Sequence, residues 1–152
     1  MELTLTEALQ KGIEAHKAGN VQEADRYYSA ILKAQPTHPD ANHNLGVLAV
    51  GVGKTEQALP FFKTALEANP SIGQFWLSYI DALIKLNRLD AAKAVFDQAK
   101  SKGAKGDGFD KIEEKLIASL CFDWRHSVDI ALAVTVIKSV FQRVFWVFGL
   151  YN

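Results

Sequence analysis

The sequence predicts an all-α fold, an α-solenoid of three helix–turn–helix repeats followed by a capping helix and an apolar C-terminal helix. Two observations carry this prediction. The chain of 152 residues is similar to itself when shifted by 34 positions, and each unit holds two stretches with apolar residues at helical spacing. The predicted array spans residues 1–121, with repeats at about 5–38, 39–72 and 73–106 and the capping helix at 107–121; the apolar segment is 122–152.

The 34-residue shift aligns small, aromatic and proline residues in a single phase. Glycine falls on glycine, and an aromatic residue recurs at one position of all three units. The aligned sets are Gly12 and Gly46; Gly19 and Gly53; Ala24, Ala58 and Ala92; Tyr28, Phe62 and Phe96; Ala65 and Ala99; Pro36 and Pro70. So many matches in one phase establish the period. The glycines are predicted to let the two helices of a unit approach closely, and the aromatic side chains are predicted to fill the space between units.

The second unit shows how each element is predicted. An apolar stripe over 41–52 marks its first helix, and Gly53 interrupts it, because glycine readily adopts the left-handed backbone that ends a helix. A second stripe from Ala58 to Leu66 marks the other helix. Pro70 then ends the unit, since the residue before a proline is pushed out of the helical region.

A 34-residue helix–turn–helix with this residue pattern resembles the tetratricopeptide repeat. The residues that carry the resemblance are Leu45, Gly46, Ala58, Phe62, Ala65 and Pro70. The third unit adds the family's tryptophan as Trp76, but it has Ile80 in place of the glycine and Asn87 at the turn. The resemblance implies a superhelix whose concave groove binds a peptide or a helix of a partner protein.

The resemblance also implies which residues line that groove. Asn44 matches an asparagine that some family members use to hold peptide backbone. The family's basic clamp for acidic chaperone tails is absent, because Leu9, Ile13, Gln74 and Ser78 occupy its positions. A partner peptide with apolar side chains is therefore expected. The predicted groove residues are Gln10, Ile13, Lys17, His43, Asn44, Val47, Leu77, Ser78, Asp81 and Lys85.

The sequence predicts no enzyme, cofactor or metal site. Its four histidines have no paired ligand spacing, and the glycine-rich stretch 103–108 follows a helix and lacks the phosphate-binding signature. Cys121 lies in an apolar run and is expected to pack as a small hydrophobe. Equal numbers of basic and acidic residues, 17 each, give no field for nucleic acid. A single cysteine and no signal peptide favour a cytoplasmic location. The resemblance to tetratricopeptide arrays of this kind implies a bacterial protein.

Residues 128–151 are long enough to cross a bilayer as a helix, but Lys138 and Arg143 offset their apolar content. Three interpretations remain open: a helix packed on the repeats, a membrane-associated helix, or the start of a larger protein that has been cut. They correspond to three functions. The first is a non-catalytic interaction scaffold, the second a membrane-associated adaptor, and the third a recruiting module of a larger glycosyltransferase, methyltransferase or sulfotransferase. The sequence does not indicate an oligomeric state.

Overall fold

The computed structural model describes residues 3–104 and 107–127, which form helices joined by short turns and contain no strand. The helices are α1 (Leu5–Lys17), α2 (Val21–Ala34), α3 (Pro39–Gly51), α4 (Thr55–Ala68), α5 (Gly73–Lys85), α6 (Leu89–Ser101) and α7 (Asp107–Ser127). Helices α1 to α6 form three antiparallel pairs. The predicted all-α solenoid is therefore confirmed.

Local sequence signals fix where these helices begin and end. At the start of α1, the Thr4 hydroxyl accepts a hydrogen bond from the Glu7 backbone N–H at 3.2 Å, and the Glu7 carboxylate accepts one from the Thr4 N–H at 2.8 Å. The bonds from Thr4 hold the pKa of Glu7 below its usual value. The three turns within the repeats place Gly19, Gly53 and Asn87 in the left-handed region, with φ of 78°, 78° and 55°. Asparagine can serve at the third turn because it tolerates this conformation better than most side chains.

Glycine allows the two helices of the first and second repeats to pack at very short range. A Cβ added at Gly12 would lie 2.6 Å from Cε1 of Tyr28, and one added at Gly46 would lie 2.7 Å from Cε1 of Phe62. Both aromatic rings are fully buried. The predicted close approach at these glycines is thus present. The aromatic residue is predicted to fill the space between units, but its ring packs against the glycine of its own repeat, because the absent Cβ leaves room for it there.

Each repeat junction is tied by a side-chain donor on the next helix. The indole Nε1 of Trp76 donates to the carbonyl of Pro70 at 2.8 Å. One repeat earlier, Asn42 occupies the equivalent position and donates to the carbonyl of Pro36 at 2.9 Å. The amide of Asn42 therefore makes the same kind of hydrogen bond at one junction as the indole of Trp76 makes at the next.

Tyr28 carries a polar group into a place that is phenylalanine in the other two repeats. Its hydroxyl is buried and has no hydrogen-bond partner among the described residues. Burial also raises the pKa of Tyr28, because the charged form of the hydroxyl would be desolvated. We expect Tyr28→Phe to increase the free energy of unfolding by about 1–2 kcal/mol. The substitution keeps the buried ring and removes a hydroxyl whose burial without a hydrogen-bond partner destabilises the folded state. Urea denaturation would measure this. Tyr27→Phe, at the half-buried neighbour, is the matched control, with an expected change within about 0.5 kcal/mol; a loss of stability in Tyr28→Phe would contradict the prediction.

Helix α7 begins where a fourth repeat would begin. Phe109 lies one repeat period after Phe75, and both are buried in one core cluster together with Phe96, Ile112 and Leu116. The position equivalent to the earlier turns is Cys121, where no glycine or asparagine is present, and the helix continues to Ser127. The predicted end at 121 is therefore six residues short of the observed end, because the sequence supplies no residue that would end the helix there.

The chain divides into two compact units, Met1–Leu116 and Ile117–Asn152. Helix α7 begins in the first unit and ends in the second. The alternatives predicted for residues 128–151, and the environment of the Cys121 side chain, lie outside the residues and side chains that the structure describes. Among the helices it does describe, none combines the length and apolarity needed to cross a membrane.

Candidate functional site

The first helices of neighbouring repeats form one continuous face. Helix α1 contacts α3, and α3 contacts α5, whereas α2 and α4 pack mainly against the first helices on either side of them. This arrangement brings the first helices together on the inner side of the array. We call the inner face of α1, α3, α5 and the first half of α7 the groove. Residues one repeat period apart lie in rows along it.

One row holds the predicted polar residues Gln10, Asn44 and Ser78. Gln10 is exposed, and its Nε2 donates to the Glu14 carboxylate at 2.9 Å. Asn44 is half-buried. Ser78 is half-buried as well, and its hydroxyl lies 2.9 Å from Nε2 of His43. The three side chains are thus not equivalent. Ser78 bonds to His43 of the neighbouring helix α3, whereas the amide of Gln10 bonds to Glu14 of its own helix.

His43 forms part of the floor of the groove. Its side chain is buried, and its ring stacks on Phe75 with ring centres 4.6 Å apart and an angle of 28° between the planes. Phe62 lies on another side, 5.9 Å away between centres. Burial lowers the pKa of His43, although a side-chain hydrogen bond with Asn44 and the negative charge of Asp40 act to raise it. The ring is therefore neutral at pH 7. The bond to Ser78 therefore joins α3 to α5 beneath the surface that a ligand would meet.

Apolar side chains occupy the middle of the groove. Ile13 on α1 and Val47 on α3 are half-buried and lie in one row. Leu77 on α5 is half-buried too, and its Cδ1 would lie 2.6 Å from a Cβ added at Gly108. Leu77 is therefore covered in part by the start of α7, whereas Ile13 and Val47 keep part of their surface on the groove.

Charged residues collect at the α5–α7 end. The Asp81 carboxylate accepts hydrogen bonds from Lys115 of α7 and from Lys85, the latter at 3.0 Å. Burial alone would raise the pKa of Asp81, but the bonds from Lys115 and Lys85 outweigh it and hold the pKa below its usual value. The side chains of Lys85 and Lys115 are 50% and 48% exposed, so both ammonium groups remain accessible to solvent. Lys17 is exposed at the end of α1.

Lys115 is a groove residue that the sequence analysis does not identify. Along the chain it follows Glu113 and Glu114, a pattern typical of a solvated helix surface. The structure separates them: Glu113 pairs with Lys100 of α6 at 2.7 Å, and Lys115 reaches Asp81. The signal was present, since Lys115 lies one repeat period after Asp81 and therefore in the same row.

The described part of the chain contains no group of three or more His, Cys, Asp or Glu side chains arranged to hold a metal ion. Most of the predicted groove residues present hydrogen-bonding groups, apolar surface or charge. Such a face can bind the backbone and side chains of another polypeptide.

Comparison with known proteins places the fold. A family model described as a tetratricopeptide repeat matches residues 49–108, and no curated protein is significantly similar in sequence. The TPR domain of Sgt2 from Aspergillus fumigatus superposes with a TM-score of 0.73 at 16% identity, over 82% of this chain and 84% of that one. The first TPR of Spaghetti (RPAP3), bound to an HSP90 peptide, gives 0.70 at 20% identity, over 77% and 93%.

The chain is also similar to a smaller part of a larger protein. The O-GlcNAc transferase of Thermobaculum terrenum superposes with a TM-score of 0.65 at 18% identity, over 79% of this chain but 23% of that one. These identities show a shared fold. The matched family model adds that residues 49–108, which carry the 34-residue period, are similar to tetratricopeptide repeats.

Proposed function

We propose that this protein is a non-catalytic, cytoplasmic scaffold that binds a peptide or helix of a partner protein in the groove. The row of Ile13 and Val47 beside the row of Gln10 and Asn44 is the observation that carries the proposal. It sets part-exposed apolar surface next to amide groups, which is the combination that a bound polypeptide requires. The similar domain of Spaghetti, which is bound to an HSP90 peptide, supports the same use of the fold.

The partner peptide is expected to differ from an acidic chaperone tail. At the positions of the family's basic clamp this chain has Leu9, Ile13, Gln74 and Ser78. Ser78 is moreover engaged by His43. A peptide that places apolar side chains against Ile13 and Val47, and its backbone against Asn44, fits the groove better than one held by its terminal carboxylate.

A display selection of random twelve-residue peptides on the full chain would test this function. We expect Asn44→Ala to weaken binding of the selected peptides by about 1–3 kcal/mol, because a desolvated backbone group would lose its partner. Fluorescence anisotropy of a labelled peptide gives the affinity. Gln57→Ala, at an exposed amide on the second helix α4, is the control and should leave binding unchanged. Failure to select any peptide would contradict the function, and equal affinity in Asn44→Ala would remove Asn44 from the site.

A second candidate is a recruiting module of a larger enzyme, in which the groove brings a substrate protein to a separate catalytic domain. The superposition on 23% of the Thermobaculum terrenum O-GlcNAc transferase favours it. Sequencing of the encoding gene beyond the region for residue 152 would test it. A reading frame that continues into a transferase domain would support the candidate, and a stop codon directly after Asn152 would exclude it.

A further inference from the structure

The chemistry of the groove changes along its length. One row runs Ile13, Val47, Asp81 and Lys115, with one residue from each first helix and α7. Its α1–α3 end is apolar, and its α5–α7 end is charged. A ligand that lies along the groove therefore meets two different environments in a fixed order.

The α5–α7 end carries more positive than negative charge. Lys85 and Lys115 both pair with Asp81, and Lys111 lies in the neighbouring row. Among the described side chains of these rows at this end, three positive charges and one negative charge leave a net charge of +2. Lys111 is exposed and lies one repeat period after Leu77, in the same row.

The acidic residues of α7 whose side chains the structure describes lie in other rows. Asp110 and Glu114 are each one repeat period after a residue that faces the interior of the third repeat, Trp76 and Ile80 respectively. Glu113 is paired with Lys100. The 34-residue spacing therefore assigns Lys111 and Lys115 to rows of the groove and these three acidic residues to other rows.

We propose that the groove selects a peptide with an apolar side chain for the α1–α3 end and an aspartate or glutamate side chain for the α5–α7 end. This inference rests on the proposed function and specifies the partner. The carboxylate binds to the ammonium groups of Lys85, Lys111 and Lys115. These lysines are not at the positions of the family's clamp for terminal carboxylates, and the bound group is a side chain within the peptide.

Asp81 competes with this carboxylate. A lysine ammonium has three donors, and Lys85 and Lys115 each direct one of them to Asp81. Because both side chains are about half exposed, a ligand can still reach them, but the Asp81 charge reduces the attraction that a second carboxylate experiences. Removing that charge should therefore strengthen binding of an acidic peptide, although it also removes an internal ion pair.

The peptide selection on the full chain tests both parts. We expect the selected sequences to be enriched in Asp and Glu on one side of an apolar residue. Lys85→Ala with Lys115→Ala should weaken their binding by about tenfold, because charge-assisted hydrogen bonds are lost. Asp81→Asn should strengthen it by about threefold or more, and added salt should weaken wild-type binding more than binding to the lysine double variant.

The matched control is Lys63→Ala with Lys93→Ala. Lys63 pairs with Glu67 within α4, and Lys93 pairs with Asp97 within α6. Both helices are the second helices of their repeats, so this double variant removes the same charge at sites outside the groove. Its affinity should stay within about twofold of wild type. Thermal unfolding by circular dichroism checks that every variant is folded.

The outcomes separate the two proposals. Selected peptides that depend on Asn44 but show no acidic enrichment, or an Asp81→Asn variant that binds them more weakly, would overturn the inference and leave the proposed function standing. Binding that is lost when the peptide C-terminus is amidated would show that a terminal carboxylate is captured, which also overturns it. Failure to select any peptide would remove both.

Discussion

Phe62→Ala is expected to lower the free energy of unfolding by about 3–5 kcal/mol. The side chain is 1% exposed, and its ring lies directly over Gly46 and beside His43. Truncation leaves a cavity at the point where the two helices of the second repeat approach most closely. Since each repeat is stabilised by its neighbours, the loss also weakens the floor of the groove. Urea denaturation followed by far-UV circular dichroism measures it.

Phe61→Ala is the control for that experiment. Phe61 is the preceding residue of α4 and is half-buried, so the same truncation removes less buried surface and opens no enclosed cavity. A loss of about 1–2 kcal/mol is expected. Equal losses for the two variants would show that Phe62 is not the packing centre of the second repeat.

Much of the fold could be predicted because its determinants are repeated within the sequence. Gly12 and Gly46, aligned by the 34-residue period, mark the close helix contacts, and Gly53 marks a turn. The junction donor could not be predicted in this way. Asn42 and Trp76 share a hydrogen-bond donor but neither size nor polarity, so their common bond to a proline carbonyl is visible only in the structure.

The candidate site was predictable in position but not in burial. The period shows which residues share a row, since equivalent positions on successive first helices face the same way. It does not show that His43 is covered, because the residue that stacks on it, Phe75, belongs to the next repeat. Nor does it show that Asp81 is held by Lys115, since that contact requires α7 to pack in the phase of a fourth first helix.

Gly46→Ile is the substitution for which alignment of the repeats and the structure disagree. The third repeat has Ile80 at this position, which suggests that isoleucine is tolerated. The structure predicts a loss of about 3 kcal/mol or more, because even a Cβ would lie 2.7 Å from Phe62 and isoleucine adds further carbon atoms on the same side. In the third repeat, Ile80 shares its cluster with Phe96 and with Phe109 of α7. There the aromatic ring has a different set of neighbours.

Gly51 provides the control for this prediction within the same helix. A Cβ added at Gly51 would meet no atom within 4 Å. Gly51→Ala should therefore stabilise the protein by about 0.5–1 kcal/mol, as alanine favours the helix over glycine. Gly46→Ala gains the same propensity, but it must displace the Phe62 ring, so we expect a net loss of about 1–2 kcal/mol. Opposite signs for one substitution at two positions of α3 would isolate the close contact as the cause, and a stabilising Gly46→Ala would show that the Phe62 ring moves aside at little cost.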